Sequence, residues 1–287
     1  MKMMIKKMNI AFLFLTTFLT FGQNYGDTIN NHEVDDISGF KSKAIPVYNH
    51  AYNENYDGDN IADIIENAKN AYVLVDPFGN DIADAITTIK ANGNEVGAYI
   101  SIGTGEDWRD DYNEMKPYII TTAWDEWKGE YFVNEVTTGV VDIMKARIDK
   151  IAAWGCDWVE FDNMDWASYD DVREKYELKV TKAEGIAYYN KLCDYVHAKG
   201  MKCMAKNTVE EGVCFDGVLY ESYKKDKNWW DQSGAQSFLD VGKIVIINHY
   251  GEKNCGKVYA NYKEMYNKNV SFICEDITLR KYIHFNQ

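Results

Sequence analysis

The chain has 287 residues, with 45 acidic side chains against 31 lysines and arginines and a formal net charge of −14. That balance repels nucleic acid and anionic lipid surfaces and excludes both as natural partners. Length without internal Pro/Gly/Ser-rich linkers excludes a string of small modules and leaves room for one large core.

Met1 is followed by Lys2, Lys6 and Lys7 and then by the apolar run Ile10 to Phe21. A basic start before a short apolar stretch is the layout of a secretory signal peptide, too short for stable insertion across a bilayer. Cleavage is expected near Gly22 or Gln23, giving a leader at 1–22 and a mature domain at 23–287. Loss of the three leader lysines takes the formal charge from −14 to −17. Such a surface suits a cationic polymer.

Strand and helix patterns then alternate. The first strand candidate is Ile45 to His50. Asp57-Gly58-Asp59-Asn60, with Asp63 and Glu66, has the composition of a calcium loop but not the ligand spacing of an EF-hand. Asn60 as a helix N-cap accounts for it more simply, and no metal is expected. Tyr72 to Asp76 is the second strand candidate. The helix Ile82 to Lys90, the stop at Gly93 and the strand Val96 to Ser101 follow. Gly103-Thr104-Gly105 is a lone short glycine pair with Glu106 and Asp107 behind it, a poor cradle for phosphate. This argues against a doubly wound nucleotide-binding sheet.

Tyr131 to Glu135 is a further strand candidate. The helix Val140 to Trp154 stops at Gly155 and leads to Trp158 to Asn163. The helix Ile186 to Lys199 stops at Gly200 and leads to Lys202 to Asn207. Val218 to Glu221, Lys243 to Tyr250 and Val270 to Glu275 complete the series. Glycine just past a helix end adopts the left-handed conformation cheaply. Strands alternating with helices of this length imply parallel βαβ units, and the expected fold is a single-domain (β/α)₈ barrel. Nine candidates compete for eight places, so one is surplus or pairs outside the barrel.

Active residues of such a barrel lie at the C-terminal ends of its strands. Those ends read Asp76, Ser101, Asn134/Glu135, Glu160/Asp162/Asn163, Lys206/Asn207, Glu221 and Asn248/His249/Tyr250. Strand side chains alternate faces, so Trp158, Glu160 and Asp162 share the lumenal face while Val159 and Phe161 share the outer one. Asp162 and Glu221, two strands apart, are placed to flank a sugar as the two carboxyl groups of glycosidic cleavage. One donates a proton and the other serves as nucleophile or base; residue types alone leave the order open. Asp76, Tyr99, Glu160, Asn163, Asp165, Lys206, Asn207 and Tyr250 are the candidate substrate contacts or supports. Lys206 near Asp162 would favour its ionised form. Trp108, Trp124, Trp127, Trp166, Trp229 and Trp230 suit sugar stacking by type, or core and loop packing.

The order of several motifs resembles glycoside hydrolase family 114, the endo-α-1,4-polygalactosaminidase group. They are Ala98-Tyr99-Ile100-Ser101-Ile102-Gly103 with Glu106-Asp107-Trp108-Arg109, Trp127-Lys128-Gly129-Glu130, Met144-Lys145-Ala146-Arg147-Ile148-Asp149, Gly155 through Asp165, His197-Ala198-Lys199-Gly200 with Lys206-Asn207, and Glu221. The resemblance spans roughly Tyr72 to Tyr250 and implies a (β/α)₈ barrel that hydrolyses galactosamine-containing polysaccharide without a cofactor. It carries the two catalytic acids onto Asp162 and Glu221. Phe161 stands where the family usually has proline. Ser222-Tyr223 stand where it has a cysteine-containing segment, and His249 precedes Tyr250 where it tends to place glutamate. These departures leave both acids intact and are expected to alter the subsite walls.

Two other readings use the same barrel. A non-catalytic carbohydrate-binding barrel would keep the groove and need neither acid, and a hydrolase could act on a different glycan. A metal-dependent deacetylase would need a ligand cluster, whereas His32, His50, His197, His249 and His284 are scattered. Cys156, Cys193, Cys203, Cys214, Cys255 and Cys274 match no zinc spacing, and no pairing follows from the sequence. The expected form is a secreted monomer.

Overall fold

Eight short parallel strands follow one another around a nearly closed ring. The computed structural model describes residues 44–52, 58–79, 81–208, 214–222, 232–266, 269–275 and 282–286. The expected leader, Asp57, Tyr223, Trp229 and Trp230 lie outside them. The strands are β1 (Val47–Asn49), β2 (Tyr72–Val75), β3 (Glu95–Ser101), β4 (Thr104–Glu106), β5 (Glu130–Phe132), β6 (Trp158–Asp162), β7 (Lys202–Lys206), β8 (Gly217–Ser222), β9 (Ile244–Tyr250), β10 (Ser271–Glu275) and β11 (Tyr282–His284). The helices are α1 (Gly58–Asn67), α2 (Ile82–Ala91), α3 (Tyr112–Met115), α4 (Thr138–Trp154), α5 (Asp170–Lys175), α6 (Lys182–Ala198), α7 (Gln232–Asp240) and α8 (Cys255–Met265).

The ladder runs β1-β2-β3-β6-β7-β8-β9-β10, parallel throughout, with β11 antiparallel on β10. The ring closes toward β1 where the Ile45 amide donates to Ser271 Oγ at 3.0 Å. The surplus candidate is the segment Tyr131 to Glu135. Its start lies in β5, which pairs antiparallel with β4 in a separate ribbon of register Glu106↔Glu130. The rest leaves the ladder, and Asn134 and Glu135 end no barrel strand. The Asn134 side chain instead accepts from the Lys179 amide, and exposed Glu135 pairs with Lys179 at 3.4 Å.

Local signals explain the helices. Thr137 caps α4 through the Val140 amide, and Thr181 with Glu184 forms a capping box on α6. Gly93, Gly155 and Gly200 all take positive φ just past α2, α4 and α6. The helix α1 begins at Gly58, so Asn60 lies inside its first turn rather than capping it. Among the described residues no helix is long and apolar enough to cross a membrane.

Period-two alternation divides the core. Val73, Val96, Val159, Phe161, Cys203 and Val245 face the helices, while Tyr72, Leu74, Trp158, Met204, Leu219 and Ile246 fill the lumen. The lumen is packed closely enough that a Cβ on Gly97 would sit 2.2 Å from the Tyr72 hydroxyl. Side chains plug the barrel below, and the polar strand ends stand on this plug. A disulfide joins Cys255 at the start of α8 to Cys274 on β10, while Cys156, Cys193, Cys203 and Cys214 are free thiols.

Candidate active site

Asp162 ends β6, Lys206 ends β7 and Glu221 lies near the end of β8, so the parallel ladder delivers all three to one rim. Lys206, whose side chain is only 5% exposed, bridges the two acids: its ammonium lies 3.0 Å from Asp162 Oδ1 and 2.8 Å from Glu221 Oε2. These two oxygens are therefore within about 6 Å of each other, in the region of glycosidase carboxyl pairs. Burial opposes the Lys206 charge, but the surrounding carboxylates outweigh it and hold the ammonium above its ordinary range.

The two acids differ in surroundings. Asp162 accepts from the Tyr99 hydroxyl at 3.0 Å and from the Asn163 amide at 2.8 Å in addition to Lys206. Three donors hold this one carboxylate in place at the rim. Glu221 is raised by burial, with Lys206 pulling the other way, and meets the Tyr250 hydroxyl at 3.5 Å. Its backbone amide donates to Asn207 Oδ1 at 3.1 Å. Asn163 and Asn207 each follow a strand end in the left-handed conformation, φ 53° and 65°. Asparagine tolerates that region better than most residues, and the turn brings its side chain back over the rim.

A second polar group adjoins Asp162. Asn163 Nδ2 donates to Ser101 Oγ and Glu130 Oε2, both at 3.1 Å, and the Thr104 hydroxyl donates to Glu130 Oε2 at 2.6 Å. Burial first, and then the Glu106 carboxylate, pushes Glu130 up to about 8. Gly103 allows this approach, because a Cβ there would lie 2.0 Å from the Asn163 carbonyl oxygen. Gly103 thus serves close backbone packing, while Gly105 leaves room for the Ile119 side chain.

Asp76, fully buried, is ion-paired with Arg109 at 2.7 Å, and Arg109 holds Glu106 through Nε at 2.7 Å. Arg147 clamps Asp111 at 2.7 Å and donates to the Ser101 carbonyl at 3.4 Å. Together these fix the β4–β5 ribbon onto the rim. Asp165 is half-buried in the turn after β6, and burial pushes it up to about 6 against a hydrogen bond from Tyr169.

Sequence reasoning did not single out Tyr52 or Glu130 as site residues. The Tyr52 ring lies 4.1 Å from the Lys206 ammonium, and its hydroxyl donates to Glu160. Its position at the third residue past β1 was the available signal. Phe161 and His249, expected to alter subsite walls, do not. Phe161 packs against Phe215, and His249 Nε2 meets the Tyr262 hydroxyl at 2.8 Å. Both occupy outward places in the strand alternation. Trp108 and Trp127 are exposed, whereas Trp166 is buried and donates to the Val133 carbonyl.

Solved glycosidases share this architecture. Ega3 of Aspergillus fumigatus superposes with a TM-score of 0.60 at 23% identity, over 86% of this chain and 95% of that one. The glycoside hydrolase domain of PelA from Pseudomonas aeruginosa gives 0.59 at 12% identity, over 86% and 98%. No curated protein matches the chain. The sequence profile of glycoside-hydrolase family GH114 matches residues 62–287. Strand-end acids on a (β/α)₈ barrel and this match over most of its length agree, and the chain belongs to glycoside-hydrolase family GH114.

Proposed function

We propose that the protein is a secreted, endo-acting glycoside hydrolase that cleaves α-1,4-linked galactosamine-containing polysaccharide with Asp162 and Glu221. The carrying observation is the Lys206 ammonium shared between those two carboxyl groups on one rim. Asp162, held by three donors, attacks the anomeric carbon. Glu221 gives its proton to the departing glycosidic oxygen. The glycosyl group then sits on Asp162. A water, losing its proton to Glu221, attacks the same carbon and frees Asp162. Separation near 6 Å or less lies closer to the roughly 5–5.5 Å of retaining enzymes than to the roughly 6.5–9.5 Å of inverting ones, so we assign retention.

Substrate choice is supported by two observations. Ega3 was crystallised with galactosamine, and the acidic chain suits a polymer carrying free amines. The basic-apolar leader and the Cys255–Cys274 disulfide both agree with export.

Purified mature protein is to be tested on partly deacetylated α-1,4-galactosaminan, chitosan and neutral polymers. Reducing ends should appear from the galactosaminan alone, with the first product anomer retained by NMR. Equal release from a neutral polymer would refute the substrate assignment. Binding without release would make the protein a carbohydrate-binding barrel.

A further inference from the structure

Glu160 stands two residues before Asp162 on β6, on the same lumenal face and one layer deeper. It is completely buried. Its Oε1 accepts from the Tyr52 hydroxyl, and its Oε2 has no hydrogen-bond partner among the described residues. A buried carboxylate with one bare oxygen is far more costly than the neutral acid. Lys206 gives the same sign: its ammonium pairs with the rim acids and forms no ion pair with Glu160, although the Glu160 charge would reach it. Among the described residues, the titratable groups around Glu160 include Tyr52 after β1, Tyr72 on β2, Tyr99 beside it on β3, Asp162 on its own strand, Lys206 on β7, Glu221 on β8 and Tyr250 on β9. Lys206 is the sole cation in that set.

We propose that Glu160, hydrogen-bonded to Tyr52, is a positioning residue for the hydrolysis: as the neutral acid it leaves the Lys206 ammonium to the catalytic pair, and on losing its proton it draws that ammonium down into the lumen and sets the alkaline limit of activity. This rests on the assignment of Asp162 and Glu221. Burial places the proton loss near pH 8, with Lys206 and the Tyr52 hydroxyl opposing the shift. An anionic Glu160 also adds a second negative charge beneath Glu221 and Asp162, so the bridge weakens as their mutual repulsion grows.

The test compares Glu160→Gln with wild type on one galactosaminan substrate from pH 5 to 9.5. The amine of the substrate titrates equally for both enzymes and cancels in the ratio of kcat/KM values. Whatever its level at low pH, that ratio should be flat below about 7 and should rise about tenfold by pH 9, one unit past the midpoint near 8. A ratio constant across the whole range would overturn the proposal, since a packing role alone scales all rates alike. An aryl glycoside, whose leaving group needs little proton donation, serves as the second measurement. Wild type should still lose rate above about pH 8 on it while Glu160→Gln does not, which separates Glu160 from Glu221. If Glu160→Gln folds poorly, Tyr52→Phe removes the donor that favours the anion and should move the alkaline midpoint of the aryl glycosidase activity upward; an unmoved midpoint would count against the proposal. Full activity of Asp162→Asn would instead refute the assignment beneath it.

Discussion

Lys206 governs the charge of the pocket at the scale of single residues. Lys206→Met keeps an apolar stem and removes the ammonium between Asp162 and Glu221. The two carboxyl groups then confront each other unbridged, and one retains its proton to higher pH. We expect kcat/KM to fall at least about hundredfold; a loss under threefold would remove the ammonium from the site's chemistry. Glu130 makes a separate prediction for stability. Its carboxyl titrates near 8 in the fold against an ordinary 4.5. Between those values the folded protein holds a proton that the unfolded chain has released, so stability declines as pH rises through the window and the decline ends above about 8. Glu130→Gln should flatten that decline in urea unfolding, by up to about 1.4 kcal/mol per pH unit. An unchanged slope between pH 5 and 8 would contradict the buried neutral acid. Asp162, Lys206, Glu221, Tyr99 and Tyr250 were legible from the sequence because strand position and face determine where such side chains meet. Tyr52 and Glu130 were not, because each reaches the site from a loop or ribbon whose path follows from tertiary packing.

Among elements, the barrel strands read clearly because apolar alternation and glycine stops repeat with each βα unit. Boundaries moved by a residue or two, as for β1 at Val47–Asn49 within the expected Ile45 to His50. The ribbon was misread for a physical reason. Three-residue β4 has too few positions to show a period, and β5 presents the same aromatic-rich pattern as a barrel strand. The close approach at Gly103, the arginine clamps and the hydrogen bond from Asn163 to Glu130 pin the ribbon across the rim. Strand packing itself yields a prediction at Gly97, where Tyr72 occupies the space of a side chain. Gly97→Ala should destabilise the protein by about 1–3 kcal/mol in chemical denaturation, and Tyr72→Phe in the same chain should restore part of the loss. No loss on Gly97→Ala would mean the lumen is looser than described.

For the whole molecule, the packed lumen decides what the rim can do. A plug of Tyr72, Trp158, Met204 and Leu219 beneath Asp162, Lys206 and Glu221 holds the acids on rigid strands and keeps solvent to one side. Family membership fixes the reaction class, and the roles proposed for Asp162 and Glu221 stand to be tested within it. The decisive measurement is the rate of galactosaminan hydrolysis by Asp162→Asn and Glu221→Gln, each shown by circular dichroism to be folded like the parent. Both variants should lose at least about a thousandfold in kcat. A folded variant of either residue that hydrolyses the polymer at the parent's rate would contradict the paired-acid mechanism.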